Sequence, residues 1–174
     1  MHVRWLIPIG VGAASVVQVA HATQYLTVEQ AQHAAFPQAT AFVPARADVD
    51  PAKFGAPAGW APRVWQVQKG DESLGWFFAD AVIGKSELIN YSLALDAHGA
   101  VVALEVLEYR EAHGGEVRLA PWRRQFVGKT SHDPVALNQD IKNISGATLS
   151  CRHLSEGVQR LLKLHERILA KAAG

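Results

Sequence analysis

The chain has 174 residues, 17 basic and 16 acidic side chains, and a single cysteine, Cys151. A net charge of +1 gives no electrostatic footprint for nucleic acid or an anionic membrane, so no nucleic-acid partner is expected. One cysteine excludes an intramolecular disulfide, no Cys-x-x-Cys-His is present for a c-type haem, and no Cys/His cluster suggests a metal.

The first 22 residues have the pattern of an export signal. Arg4 supplies a positive start, Trp5 to Val19 is largely apolar, and Ala20-His21-Ala22 is a small-x-small junction. The run is short for a membrane span, which takes about 20 apolar residues, and Pro8, Gly10 and Gly12 interrupt it. The expectation is cleavage after Ala22 and a periplasmic chain beginning at Thr23; an uncleaved signal would anchor the protein to the membrane instead. Loss of Arg4 leaves 16 basic against 16 acidic side chains. The remaining length, about 150 residues, is enough for one domain with an adequate core.

Residues 23–62 read as a helix and an irregular connection. Thr27-Val28-Glu29-Gln30 is a capping box that opens a short helix to about Ala35, and Pro37 closes it. Residues 44–62 hold Pro44, Pro51, Pro57 and Pro62 among many alanines, which predicts irregular connection rather than core.

At Arg63 the pattern changes to strands, and residues 63–174 read as the functional domain. Val64 to Val67 runs into a Gly70-Asp71 turn, and Gly75 to Ile83 leaves it. Leu88 to Leu95 alternates, Asp96 to Gly99 turns, and Ala100 to Leu107 returns with Val102, Leu104 and Val106 assigned to one face. Four strands joined by turns predict an antiparallel β-meander. With helices before and after it, the fold class is α+β.

Two later stretches carry the chemistry. Glu111 to Lys129 contains Gly114-Gly115, whose backbone can adopt angles closed to other residues. A short helix or turn follows over Glu116 to Trp122, and Trp122 and Phe126 stand four apart. Unaided, this is a loop followed by an apolar anchor pair. Asp140 to Leu154 is a short extended run, then Ser145-Gly146-Ala147-Thr148, then the start of a long C-terminal helix. That helix places Leu154, Val158, Leu161, Leu162, His165, Ile168 and Leu169 at helical spacing and continues to about Lys171. A glycine-containing turn at a helix N-terminus suits a phosphate. Equally, Ser145 or Thr148 would serve simply as the helix cap.

The segment SGATLS at a helix start resembles the flavin-attachment motif of the FMN-binding domain family. Relatives include flavin-carrying subunits of sodium-pumping NADH:quinone reductases and Rnf complexes, and small exported FMN-binding proteins. The first stretch resembles the family's second signature, with Glu111, Gly114, Gly115, Glu116, Pro121, Trp122, Phe126, Gly128 and Lys129 at the matching positions. Ala112-His113 stands where Thr-Pro is usual, and Lys142 where relatives often carry aspartate; Asp140 lies two positions further upstream. The resemblance covers approximately Gly75 to Leu164.

It implies FMN held by a phosphoester to Thr148 and installed by an FAD-dependent flavin transferase. The implied cofactor contacts are Thr148 with Ser145, Gly146, Ala147, Leu149 and Ser150, and Glu111, Gly114, Gly115, Trp122 and Lys129. Trp122, Leu149 and Leu154 are apolar candidates for the bed of the ring, and Lys129 or Lys142 for a compensating charge. No catalytic residue or metal ligand is implied, and no resident phosphoryl-transfer machinery is visible, so an external transferase is expected. The function expected is an exported electron carrier between membrane or periplasmic redox proteins. The alternatives are an exported flavin-dependent reductase with its own substrate, or a non-redox interaction module without flavin.

Overall fold

The computed structural model describes residues 23–169. The expected export signal, its cleavage junction and Lys171 therefore lie outside the described residues. A six-stranded antiparallel sheet runs in the order β1-β6-β5-β4-β3-β2. Its strands are β1 (Thr23–Gln24), β2 (Ala41–Ala45), β3 (Arg63–Lys69), β4 (Glu72–Ile83), β5 (Leu88–Asp96) and β6 (Val101–Tyr109). The α+β meander expected from the sequence is present, with β3 to β6 each paired to the next.

Alternation along the strands gives the sheet two apolar faces. Phe78, Tyr91, Leu93, Leu104 and Val106 point to one face, where helix α3 (Thr148–Leu164) lies. Val67, Phe77, Ala94 and Leu107 point to the other, where α1 (Val28–Ala35) lies. Helix α1 begins with the expected capping box: Thr27 Oγ1 accepts the Gln30 N–H, and Gln30 Oε1 accepts the Thr27 N–H.

Helix α3 buries Leu154, Val158, Leu161 and Leu162, each worth about 2 kcal/mol of apolar transfer. Gly157 lets it approach the sheet closely, because a Cβ there would stand 2.5 Å from the Tyr91 hydroxyl and 2.9 Å from Val82 Cγ1. The α-helical hydrogen bonding ends at Leu164, and a π turn, His165–Leu169, follows. His165 is buried as its spacing predicted; the side chains of Ile168 and Leu169 fall outside the described residues.

Two expectations need correction. Val102 is exposed, and Val101 takes the core position beside Leu104 and Val106. A register shift between Ala94 and Leu95 leaves Val102 unpaired, and such a bulge turns one side chain to the other face. Residues 44–62 are not merely connection. Strand β2 reaches Ala45 and pairs with β3, its Pro44 tolerated because the strand is at the sheet edge. Trp60 lies in the core on the α3 side, with its indole Nε1 donating to both Asp80 carboxylate oxygens at 3.1 Å.

Candidate functional site

Three loops meet at one end of the sheet. They are the β4–β5 turn at Gly84–Glu87, the loop after β6 from Arg110 to Gly114, and the turn that opens α3. The chain order fixes why they meet: β4, β5 and β6 are neighbours, and α3 crosses their face.

Side chains tie each loop to the next. Glu111 Oε1 accepts the backbone N–H groups of Lys85, Ser86 (2.5 Å) and Glu87 (2.8 Å), and Oε2 accepts the Ser86 hydroxyl at 3.3 Å. Burial raises the Glu111 pKa. The N–H groups of Glu87, Ser86 and Lys85 outweigh that and hold it below the ordinary glutamate value. From α3, His153 Nδ1 lies 2.6 Å from the Ile83 carbonyl oxygen and 2.9 Å from that of Gly84. Both oxygens only accept, so Nδ1 carries the proton.

Tyr109 joins the second loop to the helix. Its hydroxyl donates to the His113 carbonyl at 2.5 Å and lies 3.0 Å from Ser150 Oγ. Burial keeps the phenol's pKa above its ordinary value, with Glu111 and Glu116 adding to the rise and the Ser150 bond opposing it. Gly114 has φ +88°, and a Cβ on it would meet the Tyr109 hydroxyl at 2.7 Å and Ser150 Oγ at 3.1 Å. Glycine is therefore required there by both backbone and space. Gly115, expected to share that role, has no such φ, and a Cβ on it would make only ordinary contacts with the Tyr109 ring at 3.8 Å.

The turn before α3 is closed by the Ala147 N–H donating to the Ile144 carbonyl at 3.0 Å. Gly146 has φ +84° and open space around it. Ala147 is the N-cap residue, and no side chain caps the helix. Neither Ser145 nor Thr148 plays the capping role that ordinary sequence reading allowed. The N–H groups of the first turn are thus left for solvent or a ligand. Ser145, Gly146, Thr148 and Leu149 are exposed; Ala147 and Ser150 are buried. Thr148 Oγ1 accepts the Asn143 side-chain amide at 2.9 Å.

Two adjoining clefts open between these loops. One, of about 580 Å³, lies among Lys85, Ser86, the Glu111–His113 loop and Gly146 to Ser150. The other, of about 520 Å³, lies across the same loop and is walled by Tyr25, Gly114–Glu116, Arg118 and Leu119. Glu111, Ala112, His113 and Gly146 border both. Clefts of this size are in the ordinary range for small-molecule ligands, about 300–1,000 Å³. A third, of about 600 Å³, lies on the α1 side of the sheet and contains none of these residues.

Several residues expected around a cofactor stand elsewhere. Trp122 lines neither cleft: its ring is buried against Phe126, 5.0 Å between centroids, and its Nε1 donates to the Lys142 carbonyl at 2.8 Å. It holds the segment that leads into the motif, because an indole N–H must find a partner when buried. Leu154 is wholly buried in the core. Lys129 is 2.9 Å from Asp140 in an ion pair, and Asp140 also accepts the N–H groups of Val135 and Ala136. That carboxylate is held below its ordinary pKa: burial opposes this, and Lys129 with the two N–H groups outweighs it. Lys129 therefore braces the 129–141 loop. The carboxylate of Glu111 and the hydroxyl of Ser150 border the first cleft but are already engaged within the protein.

Lys85, Ser86 and Asn143 were not singled out from the sequence, and His113 was named only as a departure from the second signature. A turn lysine, a turn serine and a loop histidine carry no spacing signal, and Asn143 is read only once its contact with Thr148 is seen. Among the described residues no group of His, Cys, Asp and Glu could hold a metal, and no helix is long and apolar enough to cross a membrane.

No curated protein matches the chain. Residues 84–163 do match the model of the FMN-binding domain. That span begins at the turn gripped by Glu111, includes both motif loops and ends one residue before α3 does, so the match falls on the part of the chain whose motifs resemble the FMN-binding domain family.

Proposed function

We propose that the protein is an exported electron-transfer flavoprotein whose FMN is joined through its phosphate to the side-chain oxygen of Thr148. One observation carries this reading: Thr148 is an exposed hydroxyl at an uncapped helix N-terminus, beside a cleft that both motifs build together. A phosphate suits that place, since the free N–H groups and the helix dipole favour negative charge. Lys85 borders the same cleft and supplies a positive side chain. The open space at Gly146 and the wall from Glu111 to His113 suit a planar group.

The flavin, when bound, supplies reversible electron transfer; the protein supplies position and local field. The Thr148 hydroxyl oxygen is hydrogen-bonded by the Asn143 amide, which is not a base, and no group of His, Cys, Asp and Glu among the described residues could hold a metal to activate it. An FAD-dependent flavin transferase is therefore the expected partner for loading, and membrane or periplasmic redox proteins for electron exchange. The N-terminal pattern supports export, and a covalent tether retains FMN where free flavin is diluted.

The test is co-expression with a flavin transferase and intact-mass measurement. Wild type should gain one FMN and keep its yellow colour on denaturation. Thr148→Val should abolish both, while Ser145→Ala and Ser150→Ala keep them. Wild type that never gains flavin, under conditions that load another family member, would end this reading.

The second cleft favours a second reading, a reductase with its own substrate. A small molecule that perturbs the flavin spectrum on titration, and is lost as a ligand in Arg118→Ala, would support it.

A further inference from the structure

We infer that Asn143 is a positioning residue that aims the Thr148 oxygen for attachment. The inference rests on the attachment reading above and deepens it. Its geometry is a relay of four hydrogen bonds. The Lys142 N–H donates to Gln125 Oε1 at 2.8 Å, and the Lys142 carbonyl accepts Trp122 Nε1 at 2.8 Å. Both peptide planes flanking the Lys142 Cα are thereby fixed from the short helix α2 (Ala120–Arg123) and the turn after it. On the far side, Ile144 is held by the turn bond from Ala147. Asn143 sits between these two fixed points, and its Nδ2 donates to Thr148 Oγ1 at 2.9 Å.

A hydroxyl oxygen has two lone pairs and one proton. The Asn143 amide engages one lone pair. It leaves the second for attack on phosphorus and the proton for a base outside this chain. Fixing Oγ1 also selects one of three staggered χ1 wells, so the oxygen need not be found by rotation. In the transfer, the Thr148 Oγ–P bond forms and the P–O bond of the FAD pyrophosphate breaks. AMP leaves with the bonding pair, and the hydroxyl proton passes to the transferase. The product oxygen is an ester and a weaker acceptor, which frees the amide N–H for a phosphate oxygen. The buried Trp122 thus acts on the site through Lys142 and Asn143, not by touching a ring.

The measurement is the rate of FMN incorporation, by intact mass, into purified chain supplied with transferase and FAD. Asn143→Ala should lower the maximal rate about fivefold, the worth of one hydrogen bond. The chain concentration at half-maximal rate and the melting temperature should be unchanged. Asn143→Asp keeps the shape but loses the donor, and should be slower still because its charge faces the incoming phosphate. Independently, three-bond couplings to the Thr148 methyl should report a single rotamer in wild type and averaging in Asn143→Ala. Wild-type incorporation with unaltered rates in both variants would overturn the role of Asn143 and leave attachment standing. No incorporation into wild type would overturn attachment, and the role of Asn143 with it.

Discussion

Tyr109 and Ser150 share a hydrogen bond whose direction is settled by a third group. The His113 carbonyl can only accept, so the phenol proton points to it, and Ser150 must donate to the Tyr109 oxygen at 3.0 Å. This pair locks the loop after β6 to the first turn of α3, which is why the two motif loops border one cleft. Tyr109→Phe should leave the His113 carbonyl and the Ser150 hydroxyl without partners and cost about 2 kcal/mol. Ser150→Ala removes only the second bond and should cost about 1 kcal/mol or less. Thermal unfolding would show the former falling further. Equal losses would mean that the proton order is wrong.

Gly114 and Gly146 both have positive φ, +88° and +84°, but they differ in what surrounds them. Alanine at Gly146 meets nothing and should cost only the left-handed backbone term, about 1 kcal/mol. Alanine at Gly114 adds a methyl group 2.7 Å from the Tyr109 hydroxyl, so it should cost at least twice as much. Denaturant titration of the two variants decides this; similar midpoints would show that the Gly114 contact relaxes freely.

Much of this architecture was legible in the sequence because local rules and tertiary packing agree. The strand alternation from Val64 to Leu107, the Thr27 capping box and the apolar spacing of α3 all point to what forms. The bulge at Val102 was not legible, since it depends on pairing with β5 and not on local pattern. Trp60 was missed because its burial arises from a long-range bond to Asp80, 20 residues away. At the site, the motif positions of Thr148, Gly146 and Gly114 could be read directly. The tasks of Trp122 and Lys129 could not: their partners, the Lys142 carbonyl and Asp140, are set by how the 129–142 segment folds back.

Glu111 links stability to pH. Its pKa is depressed in the fold, so between the folded and unfolded values the unfolded chain binds the extra proton. The stabilisation is therefore complete above the ordinary value of 4.5 and is lost as pH falls through the lower folded value. Glu111→Gln should weaken the grip on Lys85–Glu87, with a loss of about 1 kcal/mol at neutral pH because the carboxylate borders a solvent-filled cleft. Its stability should also fall less steeply below pH 4.5 than that of wild type. Acid titration followed by circular dichroism tests this, and parallel curves would remove Glu111 from the acid response.

Thr27 and Thr148 both stand at helix starts, and only one of them caps. Thr27 Oγ1 accepts the Gln30 N–H at 3.2 Å, whereas Thr148 Oγ1 accepts from Asn143, and α3 has no side-chain cap. Thr27→Val should therefore cost about 1 kcal/mol, the usual loss for an N-cap. Thr148→Val, at an exposed position that closes no cap, should change stability by no more than about 0.5 kcal/mol. Melting curves of the flavin-free proteins compare them directly. A large loss in Thr148→Val would mean that its hydroxyl serves the fold, and a missing FMN increment in that variant could then be blamed on misfolding. A negligible loss leaves that hydroxyl with no structural duty, so the failure of Thr148→Val to take up FMN would report the chemistry of the attachment oxygen alone.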